Sequence, residues 1–346
     1  MGHVYQCLRF LSRAAVACLR PSEACPVREF PIRSRFLLCS FLLILCGCRS
    51  GPPAIAIIPR ACGTALWEPE HAGAAEAARR YGFDIYWNAP TRSNDVQKQI
   101  ALLEKTAGES YRAMILSPDE TLAFRIPIKR LLRKHLPIVV VGTELGIGSD
   151  PNLSYVLSDE VAAGQIGARR VGLLLHDEGQ IAILGMDPKL WNITLREKSF
   201  ETTLAAEFPH IHVAARRIGQ ANVSQEQQTA EELLESKPNL DALVALSAES
   251  TRGAYYALVE FGKTHVIRLI GFDQDLLPPL RTGELDSVIV ENTYDMGRQA
   301  IEQVRQKLNG GPTAERIIVR PRLVTGENID APDIQKIFSA RWWTQQ

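Results

Sequence analysis

From Ala54 onward the chain alternates short apolar runs with longer amphipathic ones, and few architectures satisfy that alternation. Ala54-Ile55-Ala56-Ile57-Ile58 reads as a strand, residues 68–80 as a helix, and Phe83-Asp84-Ile85-Tyr86-Trp87 as the next strand. A helix from Asn94 to about Thr106 follows, then the strands Ala113–Leu116 and Pro137–Val141 with a helix over 120–134 between them. Continuous apolar strands separated by helices predict a parallel sheet covered on both faces. The pattern then restarts, with helices over 159–175, 194–207, 224–236, 251–261 and 294–309 and a short one near 275–281. Strands over 180–184, 211–215, 240–246, 266–270 and 286–290 lie between them. About ten β/α units are more than one sheet carries comfortably. The expectation is therefore α/β, with two doubly wound parallel-sheet lobes.

Upstream, Arg33-Ser34-Arg35 precede an apolar run from Phe36 to Leu45, which ends in Cys46-Gly47-Cys48-Arg49. The run is too short to span a bilayer, which needs about 20 residues. Cations, a short apolar run and a small residue before a cysteine have the form of an export signal. Leu45-Cys46-Gly47-Cys48 resembles a bacterial lipobox, which would make residues 1–48 a leader and Cys48 the lipidated first residue of the mature protein. A short buried core helix is the other reading of the run. Residues 1–32 carry Arg9, Arg13, Arg20 and Arg28 without a clean amphipathic period. They read as an over-long charged region or as a start placed too far upstream.

Six of the seven cysteines lie in that leader; only Cys62 is in the body, so no internal disulfide can form there and the fold must rest on its core. The formal net charge is zero, which removes the basic-surface argument for nucleic-acid binding.

Enzyme signatures are missing. The chain has no Gly-x-Ser-x-Gly, no Walker A loop, no Gly-x-Gly-x-x-Gly and no His-Glu-x-x-His. His210 and His212 stand two apart on an expected strand; without a third ligand nearby they read as solvent-facing side chains, with a metal site as the alternative. Strand ends are more telling, because ligands of such folds sit beyond the carboxyl ends of strands. Ile270-Gly271-Phe272-Asp273 ends a strand with a glycine turn and a carboxylate, which can accept from two neighbouring hydroxyls. Asp273 could equally be a helix N-cap, a role also open to Asp275. Trp67, after the first strand, offers an indole face to the C–H face of a sugar ring, or packs in a core. Arg196 falls in the first turn of the expected 194–207 helix, where a cation opposes the helix dipole; ligand binding would explain it, and so would simple exposure.

Three segments carry a family resemblance: Ala72-Gly73-Ala74-Ala75-Glu76-Ala77-Ala78 after Trp67, Leu157-Ser158-Asp159-Glu160-Val161-Ala162-Ala163-Gly164, and Gly271-Phe272-Asp273 through Gly283–Glu291 to Met296-Gly297. Over roughly residues 54–325 the chain resembles periplasmic sugar-binding proteins of the ribose-binding type, relatives of the lac-repressor ligand domain. The resemblance implies two lobes joined by a three-strand hinge, with a sugar in the cleft. The first lobe would span 54–158 plus 292–323, the second 159–291 plus 324–335. It also implies ligand-binding roles. Leu66 and Trp67 occupy the place of the family's aromatic pair, and Arg196 and Asp273 match its arginine and aspartate. Ser247 replaces a usual asparagine, Glu291 a usual glutamine, and Gly142-Thr143 stand where Asp-Arg is typical, so Thr143 comes without a charged clamp.

Together these features suggest an exported, lipid-anchored protein on the periplasmic side of the cell envelope. It would capture a small polar ligand, above all a sugar, for an ABC permease or a membrane sensor, with no reaction, cofactor or nucleic acid involved. Closure of the hinge around the ligand would be the signal its partner reads. The alternatives are a transcriptional regulator of the lac-repressor type and an exported enzyme. The first needs a DNA-binding headpiece where residues 36–45 form an apolar run instead. The second lacks its catalytic motifs.

Overall fold

The computed structural model describes residues 52–338, apart from Ala65, Ser93, Asn94, Ala221, Asp273 and Asp275. Residues 1–51, with Cys48 and the segment read as a leader, lie outside the described residues, as does the tail from 339.

Two six-stranded sheets organise the chain. The first runs in the order β11-β5-β4-β3-β1-β2, built from β1 (Ala54–Ile58), β2 (Asp84–Trp87), β3 (Ala113–Leu116), β4 (Ile138–Val141), β5 (Leu153–Ser158) and β11 (Arg316–Val319), all parallel. Side chains along β1 alternate between its faces. Ile55 and Ile57 pack with α1 (Trp67–Tyr81) and α9 (Thr293–Leu308), while Ala56 and Ile58 pack with α2 (Val96–Thr106) and α3 (Arg125–Leu132). Helix α1 has Glu68 and Glu70 in its first turn and Arg79 and Arg80 in its last, the arrangement its dipole favours. It stops at Gly82, whose φ of 71° suits the left-handed cap.

The second sheet runs β12-β10-β9-β8-β6-β7, from β6 (Gly179–Met186), β7 (Ile211–Ile218), β8 (Ala242–Ala245), β9 (Arg268–Gly271), β10 (Ser287–Val290) and β12 (Arg322–Thr325). On one face Ile181, Ile183 and Val244 pack under α4 (Glu160–Leu175) and α5 (Trp191–Glu207). On the other, Leu243 and Ala245 pack under α6 (Val223–Ser236), α7 (Ala248–Glu260), α8 (Leu277–Thr282) and α10 (Pro332–Ile337). Strand β12 is antiparallel to β10 and pairs Arg322 with Val290 and Leu323 with Ile289, so these two residues belong to the second sheet.

The chain passes between the sheets three times: after β5, after β10 and between β11 and β12. Two crossings end in a helix cap. Asp159 accepts from the Ala162 N–H at 2.9 Å, and Asn292 from the Asp295 N–H at 3.1 Å. Each cap fixes where a hinge strand stops and a lobe begins.

The sequence reading placed the β/α alternation but not β5, β11, β12 or α10. In β5 serines interrupt the apolar pattern; Ser154 is nonetheless fully buried, its hydroxyl donating to the Ala314 carbonyl at 2.8 Å. His210 and His212 are both exposed, and His210 Nδ1 lies 2.9 Å from an Asp177 carboxylate oxygen.

Candidate functional site

The carboxyl ends of both sheets face a cleft between the lobes. From the first lobe Arg60, Thr64, Leu66 and Trp67 follow β1, and Gly142 follows β4. From the second, Asn192 and Arg196 lie on α5, Ser247 caps α7, and Phe272 and Gln274 follow β9. Glu291, at the crossing after β10, closes the floor.

Trp67 is buried yet lines the cleft. Its ring lies against Gly142, whose φ of 84° only glycine adopts freely, and the Arg60 guanidinium sits 5.5 Å from the ring centroid. Arg60 is held in turn by the Pro118 carbonyl at 3.3 Å and by Asp119 at 3.5 Å. Behind them the fully buried Gln99 donates to Pro59 and Ser117 carbonyls at 3.0 and 2.9 Å and accepts from the Asp119 N–H at 2.9 Å. One amide thus locks the loops after β1 and β3 together.

Arg196 is the centre of the second lobe's wall. Helix α5 opens at Trp191, earlier than the sequence suggested, so Arg196 stands in its second turn and the dipole is not what its charge answers. It is buried; Nε donates to a Glu160 oxygen at 2.8 Å with Nη2 in ion-pair contact with the same oxygen at 2.7 Å, Nη2 donates to Glu291 at 2.7 Å, and Nη1 to the Leu246 carbonyl at 2.6 Å. Phe272 stacks on the guanidinium at 4.2 Å. Burial pushes the Glu160 carboxyl up to about 7, against the Arg196 charge that pulls it down. Glu70, on α1, is driven up to about 8 by complete burial, with the Glu291 charge adding to the rise and the Ser117 hydroxyl opposing it.

Gly271 is not a turn residue. It ends β9, and a Cβ there would collide with the Thr251 side chain. Thr251 Oγ1 accepts from the Phe272 N–H at 2.9 Å and donates to the Ser247 carbonyl at 2.7 Å, which fixes the backbone leading to Asp273. Asp273 and Asp275 themselves lie outside the described residues. Ser247 spends its hydroxyl on a reciprocal capping box with Ser250 while lining the cleft. Thr143 is buried and does not line it; Gly142 does.

Residues 55–312 match the family model described as periplasmic binding protein domain. The chain belongs to this family. Among curated relatives, this binding protein is 26% identical over 243 residues to a putative rhizopine-binding protein of Rhizobium meliloti, covering 68% of this chain and 78% of the relative. It is 20% identical over 285 residues to a D-apiose import binding protein of Paraburkholderia graminis, covering 81% and 89%. An ABC transporter solute-binding protein from Agrobacterium vitis, solved with α-D-tagatopyranose, superposes with a TM-score of 0.77 at 21% identity, covering 82% of this chain and 98% of that one.

The structure thus brings five of the seven sequence-derived ligand candidates, Leu66, Trp67, Arg196, Ser247 and Glu291, to one cleft. Sequence reasoning missed Arg60, Asn192 and Gln274. Asn192 and Gln274 are buried, and Asn192 Oδ1 and Gln274 Oε1 have no hydrogen-bond donor among the described residues. Gln274 Nε2 is anchored on the Glu291 carbonyl at 2.7 Å, which leaves its oxygen as the free end. The signal for these residues was position alone, no more than six residues beyond a strand end. A cleft with unmet acceptors, a stacked guanidinium and an indole face can hold a polyhydroxylated molecule without covalent chemistry.

Proposed function

We propose that this protein is an exported solute-binding protein that captures a sugar in the cleft between its lobes. The observation that carries the reading is the pairing of the Trp67 face with the unmet acceptors of Asn192 and Gln274 across that cleft. Sugar hydroxyls donate to such acceptors, while the ring's C–H face packs on the indole. The names of the relatives, an apiose import binding protein and ribose import binding proteins among them, agree with it. Leu66, Arg196, Ser247, Glu291 and Asp273 complete the proposed site. Thr143 keeps its place behind Gly142 in the first lobe's wall.

Cys48 is proposed as a lipid anchor on the periplasmic side of the envelope, and an ABC permease is the proposed recipient. Exposed Leu122 and Ile126 follow β3, and Trp191 and Ile218 follow or end β6 and β7. All four lie at or beyond the carboxyl ends of strands, two in each lobe, and closure would bring those ends together before a partner. A membrane sensor would use the same residues.

The test is calorimetric titration and thermal shift of the purified protein with a pentose, hexose and polyol panel. A bound sugar raises the melting temperature by mass action. Binding that Asn192→Ala, Arg196→Ala and Asp273→Ala leave unchanged would remove these residues from the site.

A further inference from the structure

Glu291, which closes the cleft floor, is tied to charged groups buried behind it. It accepts from Arg196 of α5, and the same guanidinium is bonded to Glu160 at the start of α4. Glu70, on α1 of the first lobe, is fully buried three residues beyond Trp67, close enough for the Glu291 charge to act on its carboxyl. Glu291 lines the cleft; Glu70 and Glu160 do not. A residue of the site is thus coupled to one buried carboxyl from each lobe.

The two carboxyls are held differently. Glu160 receives the Arg196 Nε–H, a charged donor. Glu70 has the Ser117 hydroxyl, 3.3 and 3.2 Å from its two oxygens, and one hydroxyl proton serves only one of them at a time. Other charged groups on the elements around Glu70 face elsewhere. Beyond Ser117 the loop after β3 carries Asp119, which is engaged with Arg60. Helix α9, whose Gly297 packs on the Glu70 backbone, directs Tyr294 to Glu76 and Arg298 to Asp295. On α1 itself His71 and Glu68 face each other at 3.9 Å. Among the described residues, Glu291 is the charge that acts on the Glu70 carboxyl, and its sign is the same. A fully buried carboxyl with a neutral partner and a like charge nearby keeps its proton.

We propose that Glu70 is a positioning residue of the sugar site: with its proton on, it leaves Glu291 undisturbed on Arg196 at the cleft floor, and losing that proton weakens ligand binding. This rests on the reading of the cleft as a sugar site and adds a residue that never touches the sugar. The coupling comes from water. A ligand seated against Trp67 and Glu291 takes water from the floor, so a charge on Glu70 is harder to hold when the cleft is filled than when it is empty. A filled cleft therefore favours protonated Glu70, and by linkage protonated Glu70 favours a filled cleft. Burial raises the Glu70 carboxyl from 4.5 to about 8, so affinity is full below that value and falls as pH rises through it. Binding in that range takes up a proton.

The experiment is calorimetric titration of the full-length protein with D-ribose, D-glucose, D-galactose and xylitol, none of which ionises over the range used. Titrations are repeated in buffers of different ionisation enthalpy. For a member that binds, affinity is expected to hold from about pH 6 to about pH 7 and to fall roughly three- to tenfold by about pH 9, with proton uptake across the fall. Glu70→Gln places a neutral amide at the same point, so it should bind at every pH as the parent does in acid and take up no proton. Ser117→Ala removes the hydroxyl that favours the charged form, so it should move the fall to higher pH. Melting temperatures of the ligand-free variants check that each is folded. A parent affinity independent of pH would overturn the role of Glu70 and leave the sugar reading standing. The same fall in folded Glu70→Gln, or a fall that Ser117→Ala leaves in place, would overturn the assignment to Glu70. Loss of the fall in Glu160→Gln alone would move the proton to Glu160 and overturn it equally. Binding of no member at any pH would bring down the sugar reading and this proposal with it.

Discussion

Gly73 on α1 lies directly against the Tyr294 carbonyl on α9, with no room for a Cβ between them. Gly297 makes the reciprocal approach to the Glu70 backbone, so the two helices of the first lobe cross backbone to backbone. Gly73→Ala should force them apart and cost roughly 1–3 kcal/mol by overpacking. Urea unfolding of Gly73→Ala and Gly297→Ala measures it; a midpoint unchanged from the parent in both would mean the crossing yields at no cost.

Removing the Arg196 guanidinium should be the most damaging change in the second lobe. Arg196→Met leaves Glu160 and Glu291 facing one another in a buried site, which costs about 3–5 kcal/mol. Adding Glu160→Gln to Arg196→Met should return part of that loss. A double variant no more stable than the single one would show that the damage comes from lost packing against Phe272 instead.

Glu70 gives stability a pH signature. Its carboxyl is raised from 4.5 to about 8 by burial, so the folded state holds a proton that the unfolded chain releases. Its contribution is complete below about 4.5 and is lost as pH rises to about 8. His71, pushed down to about 4 by burial, acts in the opposite direction between about 6.5 and 4. Subtracting the pH–stability curve of Glu70→Gln therefore isolates the Glu70 term, which should decline with rising pH. A flat difference curve would contradict it.

Trp67 should serve both lobe and ligand. Trp67→Ala opens a cavity against Gly142 and removes the surface under Arg60, a loss of about 3–5 kcal/mol in stability. Trp67→Phe keeps most of the packing, so ligand affinity should fall further in the alanine variant than in phenylalanine. Equal affinities in both would make Trp67 a packing residue alone.

Cys48→Ser should shift the protein from the membrane fraction to the soluble one, or leave its leader uncleaved. Fractionation and an intact-mass measurement check it; normal processing and membrane retention of the variant would exclude the lipid anchor.

Much of the fold was legible because its strands are apolar on both faces and its helices on one. Ile55 to Ile58 announce a doubly covered strand without any context. β11 and β12 were not legible: Arg316 and Arg322 open them, and they sit at sheet edges where one flank meets solvent. In the site, Trp67 and Arg196 stood out by residue type. Asn192, Gln274 and Gln99 did not, since an amide is ordinary in a helix or a loop and becomes informative only when burial leaves its oxygen unmet or its two ends spanning two loops. The partition of Arg196 between two carboxylates joins residues 160, 196 and 291, a separation no local pattern spans.

The edge strands also dictate an order of assembly. β11 finishes the first sheet and β12 the second, and the two are separated only by Arg320 and Pro321. Neither lobe can therefore complete its sheet before residues 316–325 arrive, however early its other five strands have been made. During synthesis both lobes stay one strand short until nearly the whole described chain has emerged, and then both can close within ten residues of each other. Residues 316–325 thus act as a common latch on two otherwise separate sheets.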